Sequence, residues 1–359
     1  MSHSEFMSLA LRLAEKGRLT VSPNPMVGCV IVSQGQIVGQ GFHQQAGGPH
    51  AEIMALQQAG SMAKGATAYV TLEPCCHHGK TPPCTTALIQ AGIKQVYAAC
   101  TDINPLISGA GAAQLRAAGI QVETGLMEKE ALGLNEIFFH YMKHNRPFVI
   151  AKWAMSLDGK TITASGDSRD ISSQASRQHS HQFRQQVDAI LIGANTARQD
   201  NPFLTVRYSP ETGLPVRHPL RIVLSGKGSL PLDLNLFDPR LPGKTLVATT
   251  PDADQHHIAS LREQDVEVLV LPANSRHQVD LHSLMSELGR RQITSLLVEG
   301  GMTVHEHFFH ENLVNKIHVY LAPAVIGSLK NKRFLDEFKV STLDKDIFIT
   351  SDYKEHCDV

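Results

Sequence analysis

Three metal-binding side chains, His50, Cys75 and Cys84, each stand beside the start or end of a regular element, so a chain that gathers them must fold around one ion. One imidazole and two thiolates are a natural ligand set for a catalytic zinc, with a fourth position left open for water. Glu52 follows two residues after His50, where a carboxylate that does not bind the metal can move protons. The flanking pattern is specific. Residues 26–32 read as a buried strand, 33–36 as a turn and 37–41 as the returning hairpin strand. Gly47-Gly48-Pro49 breaks the chain before His50, and residues 51–59 have helical composition ending at Gly60. Residues 66–72 are β-rich and deliver Cys75 just beyond their end, while Pro82-Pro83 precedes Cys84 and a helical stretch over 85–91. His50 and Cys84 are therefore expected at helix N-termini, where the dipole favours anionic ligands.

Cys76 is an alternative ligand, but Cys75 directly follows the proline. A closed structural site with His77 or His78 as fourth ligand would leave Glu52 without a role. Cys29 and Cys100 read as small buried hydrophobes. The H-x-E…P-C…C arrangement is that of zinc nucleobase deaminases.

The rest of the composition fits an ordinary enzyme. At 359 residues the chain exceeds one domain's usual length, and a formal net charge of −1 offers no basic field for nucleic acid. Six cysteines without regular spacing argue against a disulfide scaffold and for a reducing, cytoplasmic compartment. The N-terminus lacks the apolar core of a signal peptide; Phe6, Leu9, Ala10 and Leu13 instead share one face of a helix over 6–14. No run reaches the roughly 20 apolar residues of a membrane span.

A boundary is expected near residue 146, giving domains 1–145 and 146–359. Residues 128–144 read as one long helix with Leu132, Ile137, Phe138 and Tyr141 as core positions, and His144-Asn145-Arg146-Pro147 ends it. Strands at 148–151, 189–192, 222–224, 245–249, 266–271 and 295–298 follow, with helices at 174–186, 254–264, 280–291 and from about 303. That alternation predicts an α/β domain with a largely parallel sheet. Glu299-Gly300-Gly301, between a strand and a helix N-terminus, suits a dinucleotide phosphate, although by itself a plain tight turn is the stronger reading of these residues. No G-x-G-x-x-G appears in this half, which argues against a Rossmann domain.

Residues 74–84, PCCHHGKTPPC, together with Pro23-Asn24-Pro25-Met26-Val27-Gly28 and Asp102-Ile103-Asn104-Pro105, resemble the deaminase half of the bifunctional riboflavin-biosynthesis deaminase/reductase family. That family usually has proline at the position of Ile103. Residues 152–160, 193–196, 200–202, 204–207 and 299–301 resemble its reductase half. The resemblance implies an N-terminal cytidine-deaminase-like α/β/α domain and a C-terminal dihydrofolate-reductase-like α/β domain. It implies zinc on His50, Cys75 and Cys84, with Glu52 as the catalytic residue. It also implies NADPH contacts at Ala154, Thr196, Asp200, Ser225, Gly226 and from Gly301 through Met302, Thr303, Val304, His305 and Glu306 to His307. Substrate contacts implied are Ser168, Arg184, Leu204, Arg207 and Glu299 in the reductase. Lys152 is a further candidate there, and Asn24, Lys80, Asp102 and Asn104 are the deaminase contacts. The expected ligand is a small phosphorylated pyrimidine, with neither nucleic acid nor membrane as partner, and the expected assembly is a homo-oligomer, dimer or tetramer. Asp170 stands where the family commonly has tryptophan, and a carboxylate cannot pack on a cofactor as a ring does, so no contact is assigned there. The competing reading is a nucleobase deaminase with a non-catalytic C-terminal domain.

Overall fold

The computed structural model describes residues 1–77, 82–103, 108–161, 171–207 and 216–326, with the backbone of residues 333–334, 339–343 and 346–350. The chain divides into two compact units, residues 1–148 with 282–295, and residues 149–281 with 296–359.

The first unit opens with helix α1 (His3–Glu15), started by a capping box: Ser2 Oγ accepts from Glu5 N–H, and Glu5 Oε2 accepts from Ser2 N–H. Strands β1 (Gly28–Ser33) and β2 (Gln36–Phe42) form the hairpin, and helix α2 (Ala51–Ala59) and strand β3 (Thr67–Val70) follow. Next come α3 (Cys84–Gln90), β4 (Gln95–Ala98), α4 (Ala110–Ala117), β5 (Gln121–Thr124), α5 (Glu128–Leu134) and α6 (Glu136–His144). The sheet order is β2-β1-β3-β4-β5, antiparallel across β1 and parallel from β3 to β5.

Alternation along the buried strand β1 sorts its side chains to two cores. Cys29 and Ile31 join Ala55, Leu88 and Leu115 from α2, α3 and α4. Val30 and Val32 join Phe6, Met7 and Ala10 of α1. Cys29 and Cys100 are both buried, and burial pushes both thiols up, as expected of small core residues. Leu9 is only partly buried; Met7 and Ala14 complete the inward face of α1 with Phe6, Ala10 and Leu13. Helix α2 lies close on β2, because a Cβ at Gly41 would stand 2.6 Å from Ala51 O and one at Gly39 2.2 Å from Ala55 O. Those glycines let His50 approach the sheet end.

The long helix expected over 128–144 is two helices. Asn135 breaks it by spending its amide on a distant partner: Oδ1 accepts from Met26 N–H at 2.8 Å and Nδ2 donates to Met26 O at 2.9 Å. Leu132 is 40% exposed rather than core, while Ile137, Phe138 and Tyr141 are partly buried.

The second unit contains β6 (Phe148–Ser156), α7 (Gln174–Gln186), β7 (Ala189–Gly193), α8 (Ala194–Asp200), β8 (Leu220–Leu224), β9 (Thr245–Thr249), α9 (Gln255–Glu263) and β10 (Glu267–Val270). Helix α10 (Leu281–Arg290) belongs from His282 onward to the first unit, where Tyr141 Oη donates to Gly289 O. Strand β11 (Ser295–Val298), α11 (Met302–His310) and β12 (Lys316–Ala322) then complete a sheet ordered β10-β9-β8-β7-β11-β6-β12. Pairings β10/β9, β9/β8, β8/β7, β7/β11 and β6/β12 are all parallel. Both units are α/β.

Candidate active sites

In the first unit, His50 is the N-cap of α2 and Cys84 the first residue of α3, while Cys75 lies on the segment leaving β3. His50 Nδ1 is 3.2 Å from Cys84 Sγ and 3.5 Å from Cys75 Sγ, and the three ligand atoms all lie within 4.8 Å of one another. Tetrahedral zinc with ordinary Zn–N and Zn–S bonds needs N···S edges of about 3.5 Å, so this donor set fits the metal. Among the described residues, neither Cys76 nor His77 joins the group, and His78 lies outside them.

The thiols are chemically unequal. A hydrogen bond from Cys84, then His50 and the Cys84 N–H, holds Cys75 down at about 4 against its burial. Cys84 is pushed up by Cys75 and by burial. Glu52, in the first turn of α2, is 3% exposed; burial raises its carboxyl to about 7 against the lowering effect of His50.

These groups open on a cleft of about 480 Å³. Of the expected substrate contacts, Asn24 and Asp102 line it, whereas Lys80 and Asn104 fall outside the described residues. His43, Glu73, Tyr141 and Gln292 also line it, and no spacing in the sequence marks them. His43 Nδ1 lies 3.0 Å from Pro49 O, which can only accept, so Nδ1 carries the proton. His43 Nε2 then accepts from Asn24 Nδ2 at 3.1 Å, leaving Asn24 Oδ1 to face a ligand as an acceptor.

In the second unit a cleft of about 300 Å³ opens at the carboxyl ends of β7, β8 and β11, the usual ligand position on a parallel sheet. Thr196, Ser225, Gly226, Gly301, Thr303, Val304 and His307 line it. Ala154, Asp200, Met302, His305 and Glu306 do not. Ala154 packs on the Ile171–Ala322 cluster, Asp200 ends α8, and His305 is buried with its ring 5.5 Å from Trp153. Arg198 and Lys227 line the cleft unforeseen; their signal is position, on the segments that follow β7 and β8. Among the described residues no carboxylate lines it. Gly301 has φ +67, and a Cβ at Gly300 would stand 2.7 Å from Ile192 Cβ, so this turn admits little but glycine. A glycine-walled cleft carrying two cations, Arg198 and Lys227, fits a phosphorylated dinucleotide.

Beside it, Arg184 grips Glu299 with both arms, Nε to Oε1 at 3.0 Å and Nη2 to Oε2 at 2.7 Å, and Nη1 donates to Thr205 O. Burial would raise the Glu299 carboxyl, but Arg184 and then Lys152 hold it down at about 2. His181 accepts the Arg207 N–H on Nδ1, and burial, then Arg184 and Arg207, hold it low at about 4. Leu204 is buried, Arg207 exposed and Lys152 partly buried with Nζ 5.3 Å from the Tyr320 ring centroid; Ser168 and Asp170 lie outside the described residues.

With side chains only 12% and 7% exposed, Arg184 and Glu299 form a buried pair. Glu299→Gln is expected to lower the stability of the second unit by about 3–5 kcal/mol, read by denaturant unfolding, because it strands a buried guanidinium. Since the folded carboxyl titrates at about 2 and its ordinary value is 4.5, the pair's contribution is present above 4.5 and fades as pH falls towards 2.

A zinc-type donor set beside a buried glutamate on one α/β unit, and a glycine-walled cleft on a parallel sheet in another, fit a two-site deaminase–reductase. Residues 1–100 match the cytidine and deoxycytidylate deaminase zinc-binding region, and residues 147–352 match the RibD C-terminal domain. The chain is 43% identical over 332 residues to the riboflavin biosynthesis protein RibD of Actinobacillus pleuropneumoniae, covering 92% of this chain and 86% of that one. The solved RibD of Acinetobacter baumannii superposes with a TM-score of 0.80 at 38% identity, covering 96% of this chain and 97% of that one. The diaminohydroxyphosphoribosylaminopyrimidine deaminase/5-amino-6-(5-phosphoribosylamino)uracil reductase of Thermotoga maritima gives 0.78 at 35% identity, with the same coverage of 96% and 97%. This chain belongs to the RibD family of bifunctional deaminase–reductases of riboflavin biosynthesis.

Proposed function

We propose that residues 1–145 deaminate 2,5-diamino-6-ribosylamino-4(3H)-pyrimidinone 5′-phosphate and that residues 146–359 then reduce its ribosyl group to ribityl with NADPH. The observation that carries this reading is the convergence of His50, Cys75 and Cys84 beside a buried Glu52. His50, Cys75 and Cys84 hold zinc, which when bound supplies Lewis-acid activation of the hydrolytic water. Glu52 takes one proton from the attacking water and passes it to the ring nitrogen, then takes the proton left on the added hydroxyl and passes it to the amino group, which departs as ammonia while the carbonyl forms. Its carboxyl near 7 suits both giving and taking at neutrality. Asn24 Oδ1 accepts from a ring amino group, Asp102 orients the substrate, and Lys80 and Asn104 complete the contacts, with Lys80 on the phosphate.

In the reductase, Thr196, Ser225, Gly226, Gly301, Thr303, Val304 and His307 hold NADPH, which when bound supplies the reducing equivalents. Arg207 holds the substrate phosphate, helped by Ser168. Arg184 fixes Glu299, which orients the sugar beside Leu204. Lys152 polarises the reacting sugar carbon once the ribosylamine has opened. The protein works in the cytoplasm as a homo-oligomer. Among the described residues no helix is long and apolar enough to cross a membrane.

The reading is tested by zinc content together with NADPH oxidation on the purified deaminated intermediate. A zinc-replete protein that leaves NADPH untouched would instead be a deaminase alone. Arg207→Ala is expected to raise the reductase KM for substrate roughly ten-fold or more, as loss of a charged hydrogen-bonding partner does. NADPH affinity, read by quenching of Trp153, the chain's one tryptophan, should stay put. Weakened NADPH binding with unchanged substrate KM would exchange the two subsites.

A further inference from the structure

Glu73 is 4% exposed and stands two residues before Cys75. Its carboxylate accepts three backbone N–H groups from another stretch of chain: Asp102 at 3.2 Å and Gly109 at 3.0 Å on Oε2, and Ala112 at 3.0 Å on Oε1. Gly109 is the N-cap of α4 and brings no capping side chain of its own. Glu73 therefore satisfies donors that the helix start leaves unpaired, and its third bond pins the main chain at Asp102. The segments also interlock sterically, since a Cβ at Gly111 would stand 2.1 Å from Pro74 O and 3.2 Å from Glu73 Oε1. Glu73 and Asp102 both line the deaminase cleft. A glutamine could not replace the carboxylate, because its amide nitrogen would turn a donor towards donors.

We propose that Glu73 is a positioning residue for deamination, its carboxylate setting where Asp102 stands relative to Cys75 and hence how tightly substrate is held. This rests on the reading of Asp102 as a substrate contact. The test compares E73Q, D102A, the double variant and G111A by steady-state deamination, with zinc content and reductase turnover of the same chain as controls. E73Q and G111A are expected to raise the deaminase KM roughly ten- to a hundred-fold through misplacement, with a smaller fall in kcat, because Glu52, His50 and Cys84 ride on α2 and α3. Zinc content and reductase turnover should stay at wild-type levels, and the double variant should be no worse than its worse single parent. A wild-type KM in E73Q, or effects that add in the double variant, would overturn the proposal. An unchanged KM in D102A together with a raised one in E73Q would remove the reading of Asp102 and the proposal with it, by a distinct signature. Should E73Q fail to fold, G111A decides with the carboxylate intact, and an unchanged KM there counts against the proposal. Native-state hydrogen exchange of the unmutated protein needs no variant: the amides of Asp102, Gly109 and Ala112 should be protected as one group, and a freely exchanging Asp102 amide rejects the clamp.

Discussion

Glu52→Gln is expected to yield a protein that keeps its zinc and its reductase activity but deaminates about 10²–10⁴-fold more slowly, or worse, the scale of lost general acid–base catalysis. The physical basis is the isolation of this side chain. The carboxyl is 3% exposed, with His50 and Cys84 around it, so it is held in the site rather than exchanged with solvent. Glutamine preserves shape and hydrogen bonding while removing the proton traffic. The measurement is single-turnover deamination on protein of verified zinc content, with NADPH-dependent reduction of supplied intermediate run beside it. Near-normal turnover in zinc-replete protein would take the proton-carrying role away from Glu52.

Cys84→Ser is expected to abolish zinc binding and deamination together and to leave reduction of supplied intermediate intact. The thiol is buried at the first residue of α3, 3.2 Å from His50 Nδ1, and a serine hydroxyl is neutral at pH 7 and a poor ligand for this ion. The reductase cleft belongs to the other compact unit, which carries its own buried sheet residues such as Ile190, Leu191, Ile222 and Val247. Metal content, deamination and NADPH oxidation on one preparation give the answer. A folded variant silent in both activities would mean that the two sites share a structural dependence.

What is written in neighbouring residues was legible in the chain. The hairpin, the helix starting after His50, the strand delivering Cys75 and the helix starting at Cys84 each follow from breakers, caps and short apolar runs. The alternation after Pro147 likewise foretold the second α/β unit, because a parallel sheet writes its strands as separate apolar runs. The metal set was legible for the same reason: its donors stand beside their own local punctuation.

Where a side chain's partner is remote, the sequence is silent. The helix over 128–144 has unbroken periodicity, yet it parts at Asn135 because that amide bonds the main chain of Met26, 109 residues away. The resemblance implies Arg184 and Glu299 as substrate contacts, but nothing along the chain says that they bind each other across 115 residues. Gln292 reaches the deaminase cleft from the far side of the second unit's sequence, and Glu73 caps a helix whose N-cap residue lies 36 residues later. The sequence by itself determined the elements that flank the metal donors, the α/β class and the donor set, since propensity, capping and ligand chemistry act within a few residues. Only the tertiary structure decided which buried charges pair, which backbone donors a distant carboxylate satisfies and which of the expected contacts reach a cleft. Burial makes an unpaired polar group costly, and the partner that relieves it is chosen by proximity in space, not along the chain.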